Sequence, residues 1–400
     1  MSSSSVISES ASTDPRGDAG AGGAPGTGGA PGTDGACRVS GPSGATGTPR
    51  PAARRALHGP LAVFSAAMGL LALATLIGLA ADDRLLAGAP IWLKPLHFAF
   101  SLAVYGATLA WLIPRIRRFP RTAWWAGTMI ALSSLAEAVI ISVQAWRGTY
   151  SHFNQTTPVD TAFMNSMTVA VIVLWTSNLV AAVLVARDGS HPRPLRWAIR
   201  LGLALAVVGM ALGMLMNPPT PEQQQALDAG LPTLVGAHNV GVADGGPGMP
   251  LTNWSTEGGD LRIPHFIGIH ALQVLPAAAL LLGAAGRRRR RRGSRGAGEQ
   301  GSEARGAVAR GSVAQGSVAQ GSVARAAVAE ESVPRLADEA VATRLVIVLG
   351  SVWAGLMAVV TWQALRGQAL IHPDTATLAA TGLVLGAGAV AAAASLRVRR

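Results

Sequence analysis

Eight runs of about 20 mostly apolar residues dominate this 400-residue chain. A helix of that length rises about 30 Å, which matches the hydrocarbon core of a bilayer. A soluble fold would instead show shorter, amphipathic stretches. The pattern therefore predicts an all-α fold, a polytopic transmembrane helix bundle with a six-span core and two further spans. The runs cover residues 61–80, 92–114, 123–146, 162–186, 197–216, 263–285, 344–365 and 375–396.

Arginine is concentrated at alternate ends of these spans. Clusters lie before the first span and after the second, fourth, sixth and eighth, whereas the other loops carry one or two basic residues each. This is the positive-inside distribution, and it predicts that both termini are cytoplasmic. It also accounts for the net charge of +12, because a run such as Arg287–Arg292 anchors a span at the membrane surface. The bilayer, and not nucleic acid, is the expected partner.

Composition divides the chain into four segments. The first is rich in Ser, Gly, Ala, Pro and Thr, and the third contains GSVAQ repeats, too short and small to bury a core. We expect a disordered cytoplasmic tail at 1–56, the six-span core at 57–286, a disordered cytoplasmic linker at 287–340 and a two-span hairpin at 341–400. Within the core, the long loop 217–262 is predicted to be irregular apart from a short helix at "PEQQQALDAG".

The residue usage favours a bacterial source. Arginine almost replaces lysine, and alanine and glycine are abundant, as in the proteins of GC-rich bacteria. The single cysteine, Cys37, lies in the tail and excludes an intramolecular disulfide or a cysteine metal site. The expected location is the bacterial plasma (inner) membrane, with a multi-pass topology.

Ionisable side chains interrupt the second, third and sixth spans at similar depths. They are Lys94 and His97, then Glu137, then His265 and His270. At 1.5 Å per residue, His97, Glu137 and His270 lie about 9–13 Å from the arginine-poor ends of their helices. Ionisable residues at such depth usually face the interior of a bundle and pair with one another. We therefore predict one polar pocket, open to the extracytoplasmic side and walled by spans 2, 3, 4 and 6.

The first hypothesis for this pocket is a metal-dependent membrane hydrolase. Imidazoles with a carboxylate suit zinc or a similar divalent metal, which would activate water at an open coordination position. The spacing His265-x4-His270 places the two rings about 140° apart on a helix, so both reach one ion only if the helix end near Pro264 is distorted. The predicted metal ligands are His97, Glu137, His265 and His270. The predicted catalytic residues are Glu137 and His152. The residues predicted to bind an anionic lipid or small molecule are Lys94, Arg147, Asn154 and Arg262.

Three alternatives stay open at this point. A proton-coupled transporter or small-anion binding protein would titrate Glu137 and His270. A haem-binding membrane protein would use two of the transmembrane histidines as axial ligands. A structural network would use the same groups only to specify packing, with Arg262 paired to Asp260 and His238 an ordinary loop residue. Whether the protein is an enzyme is undecided by the sequence.

Two stretches, "RGTYSHFN" and "GDLRIPHFIGIHALQ", resemble an uncharacterised family of bacterial multi-pass membrane proteins. The resemblance covers roughly residues 57–286 and leaves out the tail, the linker and the last two spans. It implies a shared topology and carries no activity with it.

Overall fold

We describe residues 56–308 and 320–397 of a computed structural model, and only the backbone of 289–308 and 320–338 within them. These residues form nine α-helices and two small antiparallel sheets of two strands each. The helices are α1 (Gly59–Ala81), α2 (Leu93–Leu112), α3 (Pro120–Arg147), α4 (Pro158–Arg187), α5 (Arg193–Gly213), α6 (Pro221–Asp228), α7 (Arg262–Val308), α8 (Gln320–Leu365) and α9 (Thr375–Arg397); the strands are β1 (Leu85–Leu86), β2 (Ala89–Pro90), β3 (Asn239–Val240) and β4 (Gly259–Asp260).

Eight helical segments are long and apolar enough to cross a membrane, which confirms the predicted spans and the all-α class. Short 3₁₀ turns extend α2 to Arg115 and α5 to Met216. The remaining helix, α6, is the short one predicted in the long loop. It begins with a capping box, in which Thr220 and Gln223 each accept a hydrogen bond from the other's backbone N–H. Which end of the bundle faces the cytoplasm stays a prediction, so we name its two ends arginine-rich and arginine-poor.

Helices α7 and α8 are longer than their membrane-crossing parts, which are Arg262–Arg288 and Glu339–Leu365. The expected linker 287–340 is therefore helical where it is described. Residues 309–319, which hold the first GSVAQ repeats, lie outside the described residues, as does the expected tail up to residue 55. The segment boundaries drawn from composition stay predictions.

Small residues bring α5 and α7 into close contact. A Cβ atom added to Gly209 would lie 2.6 Å from the Cα atom of Gly268, and one added to Gly202 would lie 2.9 Å from the Cα atom of Leu272. Glycine lets two backbones approach closely, which favours helix association in lipid because the packing contacts multiply. Helix α4 packs chiefly on α3, and α8 packs on both α5 and α7.

The apolar core lies toward the arginine-rich end. Leu61, Leu109, Ile130 and Ile199 come from four different helices, are fully buried, and lie nearer to that end of their helices. Toward the arginine-poor end, the separate buried cluster consists of Ile140, Ile141 and Met167. The bundle is thus well packed at one end and leaves internal space at the other.

Candidate functional site

A cavity of about 550 Å³ occupies the arginine-poor half of the bundle. Residues from α2, α3, α4, α5 and α7 line it, together with residues from the loops that connect these helices at the arginine-poor end. Its volume falls within the range of about 300–1,000 Å³ that is usual for small-molecule sites. Spans 2, 3, 4 and 6 form its wall as predicted, and span 5, carried by α5, contributes as well.

Most of the sequence-predicted site residues line this one cavity, although they are far apart in the chain. The sequence reasoning depended on their shared depth, and the structure adds that they share one space. Their individual roles stay predictions. The lining residues among them are Lys94, His97, Glu137, His152, Arg262, His265 and His270.

Arg147 and Asn154 are not among the lining residues of this cavity, and their substrate-binding role stays a prediction. Arg147 forms an ion pair with the buried carboxylate of Asp160, with an N–O distance of 2.6 Å. The side chain of Asn154 donates to the hydroxyl of Thr149 at 3.0 Å and accepts from the hydroxyl of Thr156 at 2.7 Å. The turn between α3 and α4 directs both side chains into local contacts, so they hold this connection in place.

Of the two cationic residues Lys94 and Arg262 in the cavity wall, Lys94 is the one without a short-range partner among the described residues. Among the described residues, its ammonium group has no hydrogen bond or ion pair, although the charges of Arg262, Asp244 and Glu137 act on it from a distance. Arg262, in contrast, binds both carboxylate oxygens of Asp260, with distances of 2.9 Å from Nε and 2.6 Å from Nη2. Lys94 therefore offers the cavity a positive charge that the protein itself does not compensate at short range.

Two buried polar atoms on α3 also lack partners. Among the described residues, neither Glu137 Oε1 nor the hydroxyl of Ser134 has a hydrogen-bond partner. The two residues are one turn apart, and both line the cavity. A buried polar atom left without a partner costs about 1–3 kcal/mol. Such a pair indicates a place where a ligand or water supplies the missing hydrogen bonds.

The histidines of the cavity differ in their partners. Nδ1 of His265 lies 2.8 Å from the carbonyl oxygen of Gly209, which only accepts, so this nitrogen carries a proton and Nε2 holds the lone pair of the neutral ring. Nδ1 of His152 lies 3.1 Å from the hydroxyl of Ser151. Burial, followed by electrostatic interactions with Lys94, His238 and His265, lowers the pKa of His152 well below its ordinary value. His152 is therefore neutral near pH 7.

His238 and Asp244 line the cavity as well, and sequence reasoning missed this role. Nδ1 of His238 lies 2.6 Å from Oδ2 of Asp244, and Oδ1 of the same carboxylate accepts from the backbone N–H of Asn239 at 2.9 Å. Burial by itself would raise the pKa of Asp244, but the hydrogen bonds and the nearby His238 hold it at about 2. The loop "HNVGVADGG" has no periodicity that places it over a helix bundle, so no local signal could have identified the pair.

The predicted metal centre has no support in this geometry. Within residues 56–308 and 320–397, no group of three or more His, Cys, Asp or Glu side chains is arranged to hold a metal ion. The bond from Nδ1 of His265 to the carbonyl of Gly209 leaves Nε2 available, but no two further ligands are arranged around it among the described residues. The four residues share a cavity without forming a ligand set, so a divalent metal remains only a prediction of the sequence.

Comparisons of the chain with known protein families, curated proteins and solved structures found no match. Membership of the bacterial family suggested by "RGTYSHFN" and "GDLRIPHFIGIHALQ" therefore stays a prediction. The chain is a multi-pass helical protein suited to a lipid bilayer.

Proposed function

We propose that this protein binds an amphiphilic small molecule with an anionic head group, inside the membrane and near its extracytoplasmic face. The observation that carries the proposal is the position of Lys94, an uncompensated cation, in a large cavity with mainly apolar walls. The bacterial plasma membrane, predicted from residue usage and from the arginine distribution, is the proposed location.

The head group follows from the charges. Removing an ammonium group from water costs several kcal/mol unless an anion at short range compensates it. Asp260 is paired with Arg262, and Asp244 is paired with His238. Glu137 also lines the cavity, but among the described residues it forms no ion pair with Lys94. A carboxylate or phosphate from a ligand would pair with Lys94 and complete this arrangement.

The apolar part follows from the cavity wall. Phe98, Ile141, Met167, Val171 and Phe266 surround the polar groups. Each Å² of apolar surface that a ligand buries against such side chains contributes about 25 cal/mol. A hydrated inorganic ion would not use this wall, whereas an amphiphile would use both of its parts.

The closed arginine-rich half favours binding over transport in this conformation. Fully buried apolar residues such as Leu109 and Ile199 pack in that half and do not line the cavity. A transporter would need a second arrangement of the helices. The hydrolase hypothesis would need three ligands around one ion, which the described side chains do not assemble.

The test is ligand binding to protein in nanodiscs, with a dansyl-labelled fatty acid as the probe. Lys94→Gln should weaken binding at least about tenfold, because it removes the compensating charge, equivalent to about 1.4 kcal/mol. Arg84→Gln is the matched control, since Arg84 lies at the same end of the bundle, pairs with Asp82 and does not line the cavity. Equal binding by wild type and Lys94→Gln, or no binding by wild type, would overturn the proposal.

A further inference from the structure

Helices α4 and α5 contact each other near the middle of the bundle, and the cavity extends between them toward the arginine-poor end, in a region that we call the gap. Nε1 of Trp175 on α4 donates to the carbonyl oxygen of Val207 on α5 at 3.4 Å. The two helices are antiparallel, because α4 begins and α5 ends at the arginine-poor end. Between that contact and this end, both helices contribute residues to the cavity wall. These are Met164, Met167, Thr168, Val171, Ile172 and Leu174 on α4, and Met210 and Gly213 on α5 with Met214 just beyond it.

Several of these wall residues have large exposed fractions, which are 54% for Ile172, 39% for Val171 and 43% for Met214. Ile172 lies one turn from Val169, which is 61% exposed and does not line the cavity, so this face of α4 is turned outward. A residue of this face that also lines the cavity indicates that the cavity reaches the surface here. Helix α5 packs against α7 through Gly209 and Gly268, whereas α4 packs chiefly on α3. Because both segments are membrane spans, this opening faces lipid.

The chemistry of the opening suits a hydrocarbon chain. None of its lining side chains is ionisable, and methionine is frequent among them, with Met164, Met210 and Met214 near the gap. Methionine is flexible and polarisable, so it adapts to apolar partners of variable shape. A hydrated ion would lose its water in such a gap without gaining hydrogen bonds.

Loops cover the water-facing end of the cavity. The hairpin formed by β1 and β2 meets the long loop there, since a Cβ atom added to Gly88 would lie 3.0 Å from the carbonyl oxygen of Gly245. Residues Thr252–Ser255 of the same loop line the cavity from this side. The described backbone thus covers the aqueous end, whereas the side toward lipid is bounded by exposed apolar side chains.

From these observations we infer that the ligand enters sideways from the bilayer, between α4 and α5, and is a single-chain membrane lipid with a carboxylate or phosphate head. Its head group reaches Lys94, and its chain occupies the methionine-lined gap. This inference rests on the proposed function and adds the route of entry and the class of lipid. A free fatty acid and a lysophospholipid share the required chemistry.

The experiment measures the association rate of the dansyl-labelled fatty acid with protein in nanodiscs by stopped-flow fluorescence. Ile172→Trp should slow association by about tenfold, within the range over which related complexes differ in association rate. Ile172→Ala should accelerate it, so a folding defect of the larger variant does not decide the result. Val169→Trp is the matched control, because Val169 is 61% exposed on the same helix and does not line the cavity.

The outcomes separate the two proposals. If both Ile172 variants associate at the wild-type rate while Lys94→Gln loses binding, sideways entry is overturned and the proposed function stands. If butyrate competes as strongly as oleate or lysophosphatidic acid, the lipid class is overturned. Stronger competition by oleate supports a free fatty acid, and stronger competition by lysophosphatidic acid supports a lysophospholipid. If no probe binds to the wild type, both proposals fail.

Discussion

The two halves of the bundle consist of the same helices but differ in how closely those helices pack. In the arginine-rich half, Leu61, Leu109, Ile130 and Ile199 are fully buried against one another's helices. In the arginine-poor half, the buried apolar cluster is small, and a cavity of about 550 Å³ separates the helices. Among the described residues, buried polar atoms without partners line this cavity on Ser134 and Glu137, whereas Nε of Arg200 is such an atom in the arginine-rich half.

The difference indicates that the two parts of each helix have different roles. A packed half fixes the positions of the helices, because close-packed interiors resist small displacements. The other half then keeps space and unpaired polar atoms that reduce stability. Local rules of packing and hydrogen bonding are most often broken at functional sites, so the contrast supports the arginine-poor half as the site.

The largest effect is expected from breaking the ion pair between Asp260 and Arg262, which lies at the end of the long loop in the arginine-poor half. Asp260 is buried and accepts from Arg262 and from the backbone N–H of Ser255. Asp260→Ala should lower the free energy of unfolding by about 3–5 kcal/mol, because it leaves Arg262 without its partner. Thermal unfolding in detergent measures this. Asp82→Ala, in an exposed pair with Arg84, should have little effect; an equal loss in both variants would contradict the role of Asp260.

The next effect tests the packed half. Leu109 is fully buried and does not line the cavity. Leu109→Ala should lower the free energy of unfolding by about 3 kcal/mol, since it removes a buried side chain and leaves a void. Binding of the fatty-acid probe by the folded fraction should be unchanged. Val63→Ala, at a position 72% exposed on α1, is the control. A large loss of affinity in Leu109→Ala would show that the halves are not separate.

A smaller change of opposite sign is expected at Glu137. Glu137→Leu removes a buried acceptor that has no partner among the described residues, so the free energy of unfolding should rise by about 1 kcal/mol. Affinity for the probe should change at the same time, because the residue lines the cavity. Urea or thermal unfolding together with probe titration measures both. A marked loss of stability would mean that Glu137 belongs to a structural network.

The smallest effect is a pH dependence from the loop histidines. Burial lowers the pKa of His152 and of His238 in the folded protein, the latter although His238 also donates a hydrogen bond to Asp244, which opposes the shift. Below about pH 6.5 the unfolded chain therefore takes up protons that the folded protein does not, so stability is present above this pH and is lost on acidification. The melting temperature should fall between pH 7.5 and 5.5, and less steeply in His152→Phe. An identical slope in the variant would contradict this assignment.

Much of the fold could be predicted because its causes are local. In lipid, each span must satisfy its own backbone hydrogen bonds, so an apolar run of sufficient length becomes a helix whatever its neighbours are. The formation of helix α6 also has a local cause, since Thr220 and Gln223 form its cap. The polar pocket was accessible to sequence reasoning through the similar depths of His97, Glu137 and His270.

The remainder depended on neighbours that the sequence does not specify. His238 and Asp244 reach the cavity only because the long loop lies over the bundle, and Arg147 and Asn154 stay outside it because a local turn engages them. The gap between α4 and α5 depends on which helices pack together, including the contact of Gly209 with Gly268. Helix formation in lipid is decided within each span, whereas the partners of a side chain are decided by packing between distant segments, and only the tertiary structure contains that information.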